Sequence, residues 1–262
     1  FKVFCGKFSK VEKAMIEKSA LVNSSYGEME IFIKYPDEEG PFPVIIFLMD
    51  APGMRAELHD MASRLATSGY YVALPNLYYR TDPNFVLDFE DKTQNSRDKM
   101  FEHMNSLTNA MVCSDINNIL DFVAHDENAK SELCGTVGYC MSGPFAFAAI
   151  AQFPSIIKAA ASLHGVRLFT DNEDSPHLDA EKIEGEVYFG CAEIDEHAPQ
   201  EMIDNLKAYL CRTDVKYRIE IYPNTDHGFV FPDRMAKYSR KAAETHWSRI
   251  LSLFERNLKS SL

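Results

Sequence analysis

Cys140 lies in Gly138-Tyr139-Cys140-Met141-Ser142-Gly143, the stretch with the most specific chemistry in this chain. Gly135-Thr136-Val137 before it reads as the end of a short strand, and Pro144 to Gln152 after it as a helix of small residues. A strand, a tight Gly-x-nucleophile-x-small turn and a helix together make a nucleophile elbow, whose strained centre lifts one side chain into a cleft. Gly138 and Ser142 are small enough to let strand and helix approach closely. With cysteine at the centre, the chemistry on offer is thiolate attack on a carbonyl.

A thiol of ordinary pKa, about 8.5, is only a few per cent ionised near neutrality, so it needs a base. His227, in Asn224-Thr225-Asp226-His227-Gly228-Phe229, can take the proton, and Gly228 gives the turn freedom to aim the ring. A carboxylate then fixes the imidazole tautomer and stabilises its cation. Asp195, in Glu193-Ile194-Asp195-Glu196-His197, competes for that role with Asp226, Glu193 and Glu196. Sequence neighbours seldom face one another well, so Asp195 is preferred to Asp226. His164, His177 and His197 are separate histidines, and His197 reads as a loop residue near the acid. No three or four ligands stand at zinc spacing, so no metal is expected.

Three strands must place these groups. Glu186 to Gly190 precedes Asp195, Tyr217 to Tyr222 precedes His227, and Gly135 to Val137 precedes Cys140. Val44 to Met49 and Tyr70 to Leu74 are continuous apolar runs, as in strands buried on both faces. Met29 to Tyr35 alternates weakly and suggests an antiparallel edge strand, and Ala159 to Leu163 is a further strand. Helical spacing appears at Met54 to Leu65, stopped by Gly69; at Val112 to Val123; from Pro199 to Leu210; and from Trp247 to Leu258. Thr81 to Asp98 and Val166 to Lys182 read as polar loops, the first a flap near the site, and Ser9 to Val22 as a helix or extension. The division expected is an N-terminal extension over 1–28 and one domain over 29–262. Alternating strands and helices give an α/β fold, a mostly parallel central sheet with helices on both faces. Ligand sites in such sheets lie at the carboxyl ends of the strands.

The chain has 262 residues, which fits one large α/β domain or two small ones, and 46% of them are hydrophobic, enough for a large core. Its net charge of −12 argues against nucleic acid or an anionic membrane surface as partner. An anionic small molecule is still compatible, because a pocket can carry a local positive field. Six scattered cysteines, Cys5, Cys113, Cys134, Cys140, Cys191 and Cys211, form no CxxC pair and suggest a reducing, cytoplasmic setting. No run of about 18 apolar residues predicts a membrane span.

The order nucleophile, acid, histidine is that of the α/β-hydrolase class, and within it the chain resembles the dienelactone hydrolase family from about Met29 to the C-terminal helix. The resemblance rests on the Gly138-Tyr139-Cys140-Met141-Ser142-Gly143 elbow, on Pro75-Asn76-Leu77-Tyr78-Tyr79-Arg80, on Asp195 with Pro199 four residues on, and on His227-Gly228-Phe229. It implies an α/β-hydrolase fold and a Cys140, His227 and Asp195 triad. It also implies no metal or organic cofactor, and hydrolysis of a small ester or lactone through a thioester. The backbone amides of Ala51 and Met141 match the family's oxyanion hole. Where the family has a glutamate that meets the resting thiol, this chain has Asp50, one methylene shorter.

Substrate contacts depart further. The family's arginine four residues after the histidine is Phe231 here, leaving Arg97 in the flap and Arg234 as candidate replacements. Tyr139 and His164 complete the candidate substrate-binding set, and the loop through Asp171, Ser175 and His177 resembles a subgroup's pocket rim. The expected partner is a small-molecule ester or lactone, more apolar than a dienelactone or not, on a monomer or homodimer. The Asp50 departure motivates a different reading, a ligand-binding or redox-responsive scaffold with little turnover. A thioesterase or peptidase on the same triad is a third.

Overall fold

The computed structural model describes residues 15–91 and 93–259. β1 (Met15–Ser24) and β2 (Gly27–Pro36) make a hairpin. β3 (Phe42–Leu48), α1 (Ala56–Ala66), β4 (Tyr71–Pro75), α2 (Gln94–Asn105), α3 (Asn109–Val123), β5 (Ala129–Tyr139) and α4 (Gly143–Gln152) follow. β6 (Ile157–Leu163), β7 (Glu186–Ile194), α5 (Gln200–Leu210), β8 (Lys216–Asp226) and α6 (Arg240–Phe254) complete the chain, with a π-helical turn at Glu255–Lys259. The strands form one sheet in the order β1-β2-β4-β3-β5-β6-β7-β8. β2 is antiparallel to both neighbours and every other pairing is parallel.

The apolar runs explain the centre of the sheet. Every residue of β3 and β4 is buried, as expected where helices cover both faces. Successive residues of β5 show the two layers. A Cβ on Gly135 would meet Phe254 of α6, whereas the Thr136 hydroxyl donates to the Ala146 carbonyl of α4. Since neighbouring strand residues point to opposite faces, α6 and α4 lie on opposite sides. α1 joins α6 through paired hydrogen bonds from Arg64 to Glu244 and the Arg64 guanidinium over Trp247.

Three expectations change. Met29 to Tyr35 is antiparallel, but β1 covers it, so it is not an edge. From Met15 on, the expected N-terminal helix or extension is that covering strand; residues 1–14, Cys5 among them, lie outside the described residues. Only Val22 of β1 is fully buried, which leaves almost no alternation to read. The flap is irregular only as far as α2, a helix with no fully buried residue and therefore no apolar stripe facing a core.

Candidate active site

Cys140 directly follows β5 with φ of 55°, a left-handed conformation that a non-glycine residue adopts only under constraint. The constraint is visible on both sides. A Cβ on Gly138 would lie 2.0 Å from the Ser142 carbonyl oxygen, and one on Gly143 would lie 2.4 Å from Gly165 Cα. Only glycine allows β5, α4 and the loop after β6 to approach this closely. The buried Ser142 hydroxyl donates to the Met49 carbonyl at 2.5 Å and ties the elbow to the end of β3.

β7 and β8 deliver the other two residues to the same end of the sheet. His227 Nδ1 and Asp195 Oδ2 are 2.8 Å apart, with side chains 6% and 1% exposed. The other Asp195 oxygen accepts from the amides of His197 and Ala198, at 2.9 and 3.1 Å, so the carboxylate cannot turn away. His227 Nε2 has no well-formed hydrogen bond; its strong electrostatic partner is the Cys140 thiol. Burial alone would lower the His227 pKa, but the Cys140 charge and the Asp195 hydrogen bond outweigh it and raise it to about 9. Burial would likewise raise the Cys140 pKa; the His227 cation, with help from Arg234, lowers it below its ordinary value. Cys113, Cys134 and Cys191 show the contrast, each pushed up to about 12 by burial with no cation to oppose it.

Asp50 is fully buried, and arginines take both its oxygens. Arg55 donates to Oδ1 at 2.5 Å and Oδ2 at 3.1 Å, and Arg234 donates to Oδ2 at 2.6 Å. Arg55 also reaches Asp233 at 2.5 Å, which ties the loop after β3 to the loop after β8. Asp50 therefore meets the thiol through its charge and through Arg234, not by direct hydrogen bonding. Gly228, with φ of 87°, packs where a Cβ would lie 2.5 Å from Arg234, so the turn after His227 is fixed rather than free.

Cys140 and His227 open into a cavity of about 290 Å³. Its walls are mostly apolar: Ala51, Leu87, Phe89, Met100, Phe101, Met104 and Val166, with the cations Arg167 and Arg234. Of the residues expected at the substrate, Arg234 and the Ala51 backbone are there, and Met141 follows Cys140 directly. Three are not. Tyr139 is fully buried and turns away, its hydroxyl 3.1 Å from His246 Nε2 in α6. Phe231 is fully buried beneath the Arg55 and Arg234 guanidiniums, 5.1 and 4.9 Å from them. Arg97 lies on α2 and lines a separate outer cavity with Asp233, Arg234 and Lys237. His164 is buried behind His227, ring centroids 4.7 Å apart, with no hydrogen bond to either ring nitrogen. Burial first and the His227 cation next hold its pKa well below the ordinary value. In the loop that follows, Val166 and Arg167 reach the cavity, whereas the buried Ser175 hydroxyl and His177 bond to each other at 2.7 Å and the His177 ring stacks on Phe169.

The sequence did not point to Arg55, Asp233, Arg167 or the α2 wall. Arg55 and Asp233 are 178 residues apart, and no local pattern links them. Met100, Phe101 and Met104 were visible as apolar residues in a polar stretch, a signal of a helix facing a cavity instead of a core. Among the described residues no group of three or more His, Cys, Asp or Glu is placed to hold a metal ion, and no helix is long and apolar enough to cross a membrane.

Sheet order, elbow and strand-end residues define an α/β-hydrolase. The chain belongs to the dienelactone hydrolase family, whose family model matches residues 29–258, and as a member it is a hydrolase acting on ester bonds. Two proteins named "Putative carboxymethylenebutenolidase" resemble it along most of their length. One, from Synechocystis, is 27% identical over 247 residues, 92% of this chain and 98% of its own. The other, from Escherichia coli K12, is 25% identical over 221 residues, 83% of this chain and 78% of its own. The crystal structure of a "Putative Dienelactone Hydrolase" from Klebsiella pneumoniae superposes with a TM-score of 0.82 at 24% identity, covering 93% of this chain and 99% of that one.

Proposed function

We propose that the chain hydrolyses small ester or lactone substrates with Cys140 as nucleophile. The observation that carries this reading is the thiol at a left-handed elbow, opening with His227 into an apolar cavity, with His227 held from behind by Asp195. The Cys140 thiolate attacks the substrate carbonyl carbon, and the carbonyl oxygen takes the negative charge. The amides of Ala51 and Met141 face that charge; one such donor is typically worth about 3 kcal/mol. When the tetrahedral intermediate collapses, the C–O bond to the leaving alkoxide breaks, and protonated His227 supplies its proton. In a lactone the alcohol stays tethered to the acyl group. His227, now neutral, deprotonates a water that attacks the thioester. The thiolate leaves and the carboxylic acid product is released.

The mostly apolar wall suits a compact apolar acyl group, and Arg167 and Arg234 give the cavity a positive end compatible with an anionic substituent. The scaffold reading is the weaker one: Asp50 makes no direct hydrogen bond to the thiol, but His227 and Arg234 still lower the Cys140 pKa. The test is turnover of activated aryl esters by Cys140→Ala. Loss of turnover with retained fold is expected; undiminished hydrolysis would remove Cys140 from the mechanism.

A further inference from the structure

Tyr78 is a buried side chain that the mechanism above does not use, and it touches the Ala51 backbone and the Met141 side chain on either side of the oxyanion. It lies in the one-turn helix Leu77–Arg80 after β4 and is 1% exposed. Its hydroxyl donates to the Ala51 carbonyl at 2.8 Å and lies 3.3 Å from Met141 Sδ, a second acceptor for the same proton. Ala51 follows β3 and Met141 follows Cys140, so one phenol spans two segments that the chain separates by 90 residues, as the numbering gives.

Tyr78 is itself held through its backbone and its ring. The Asn76 side chain accepts from the Tyr78 amide at 3.1 Å and donates to the Pro83 carbonyl at 2.7 Å. The Tyr78 ring meets Phe85 edge-on at 5.9 Å. From there the flap runs along the Ala51 segment: Val86 forms an antiparallel bridge with Gly53, and the Leu87 amide donates to the Pro52 carbonyl at 2.8 Å. Gly53 has φ of 91°, and a Cβ there would lie 2.2 Å from the Phe85 carbonyl oxygen, so this approach admits only glycine. Leu87 and Phe89, the next inward residues, line the cavity.

We propose that Tyr78 is a positioning residue: its hydroxyl fixes the Ala51 carbonyl and braces the Met141 side chain, so that the Ala51 amide stays aimed at the oxyanion that the Met141 amide also faces. The inference rests on the assignment of those amides as the oxyanion donors. Fixing the Ala51 carbonyl fixes the residue that carries the amide, and a misplacement of about 1 Å in such a site costs on the order of 100-fold. Burial, then the charges of Asp50 and Cys140, push the Tyr78 pKa upward, so the phenol stays a neutral donor throughout the working pH range.

Tyr78→Phe removes the hydroxyl and leaves the ring contacts with Phe85. The expected result is a kcat lower by about 10- to 100-fold, with KM within about threefold of the parent. Two readouts separate this from general loosening. Alkylation of Cys140 by iodoacetamide keeps its rate and pH profile, because the thiol and His227 are untouched. The preference for an oxo ester over the matching thiono ester shrinks, because sulfur is the poorer acceptor and gains less from well-aimed amides. Unchanged kcat overturns the proposal, as does an equal loss on oxo and thiono esters or a matching fall in alkylation. Cys140→Ala is run alongside: full turnover there removes the thiol mechanism itself, whereas its loss beside an unimpaired Tyr78→Phe removes only the role of the tyrosine.

Discussion

Asp195→Asn tests the charge arrangement with one atom changed. Asp195 Oδ1 receives the amides of His197 and Ala198, and Oδ2 faces His227 Nδ1 at 2.8 Å. In the asparagine variant the amide oxygen must keep the two backbone donors, because an NH₂ group there would confront N–H with N–H. The NH₂ group then points at Nδ1 and makes it an acceptor. The ring proton moves to Nε2, which can no longer take the proton of Cys140. The thiolate loses the cation that lowers its pKa, and burial, the opposing influence, goes unanswered. A forced wrong tautomer lowers kcat/KM by about 10³- to 10⁴-fold, or roughly 4–5.5 kcal/mol of transition-state stabilisation. Asp195→Ala frees Nδ1 to keep its proton, so it is expected to retain more activity than the asparagine variant. The assays are aryl-ester hydrolysis and the rate of Cys140 alkylation against pH, with the alkylation profile moving to higher pH in Asp195→Asn. An asparagine variant within about tenfold of the parent, or one more active than Asp195→Ala, refutes the reasoning.

Hydrolysis by the parent is expected to fall as pH rises through about 9, where His227 loses the proton owed to the leaving group; a pH–rate profile checks this. By linkage, the stability contributed by the His227 cation is complete below its unfolded value of 6.5 and disappears as pH rises through about 9, which denaturation at several pH values reads out. Gly138→Ala drives a Cβ to 2.0 Å from the Ser142 carbonyl and is expected to cost about 3 kcal/mol, lowering Tm by on the order of 10 °C. Asp50→Ala leaves Arg234 unpaired and Arg55 half-paired, with side chains only 12% and 9% exposed. The expected loss in urea denaturation is about 3–5 kcal/mol, part of it recovered when Arg55→Met is added.

What could be read in advance was local. Cys140, Asp195 and His227 each follow a segment readable as a strand, and the parallel topology carries all three to one end of the sheet. Burial direction was not readable. Tyr139 precedes Cys140, and the alternation of a strand turns it to the α6 side, away from the cavity. Phe231 replaces a charged residue at its position, yet its role is to underlie two guanidiniums. Asp50 looked like a defect because its partners, Arg55 and Arg234, come from separate loops. β1 and α2 escaped for the same reason: neither presents a buried stripe, since one is half-exposed at an edge and the other faces an open cavity.

The central claim is that an acyl group passes through the Cys140 sulfur. The direct measurement is intact-protein mass spectrometry after mixing with a slowly hydrolysed aryl ester and quenching in acid, followed by mapping of the modified peptide. The account predicts one added acyl mass, located on Cys140, that disappears on the timescale of turnover and accumulates when deacylation is slowed by His227→Ala. Turnover with no acyl adduct on Cys140, or with the acyl group on another side chain, would contradict it.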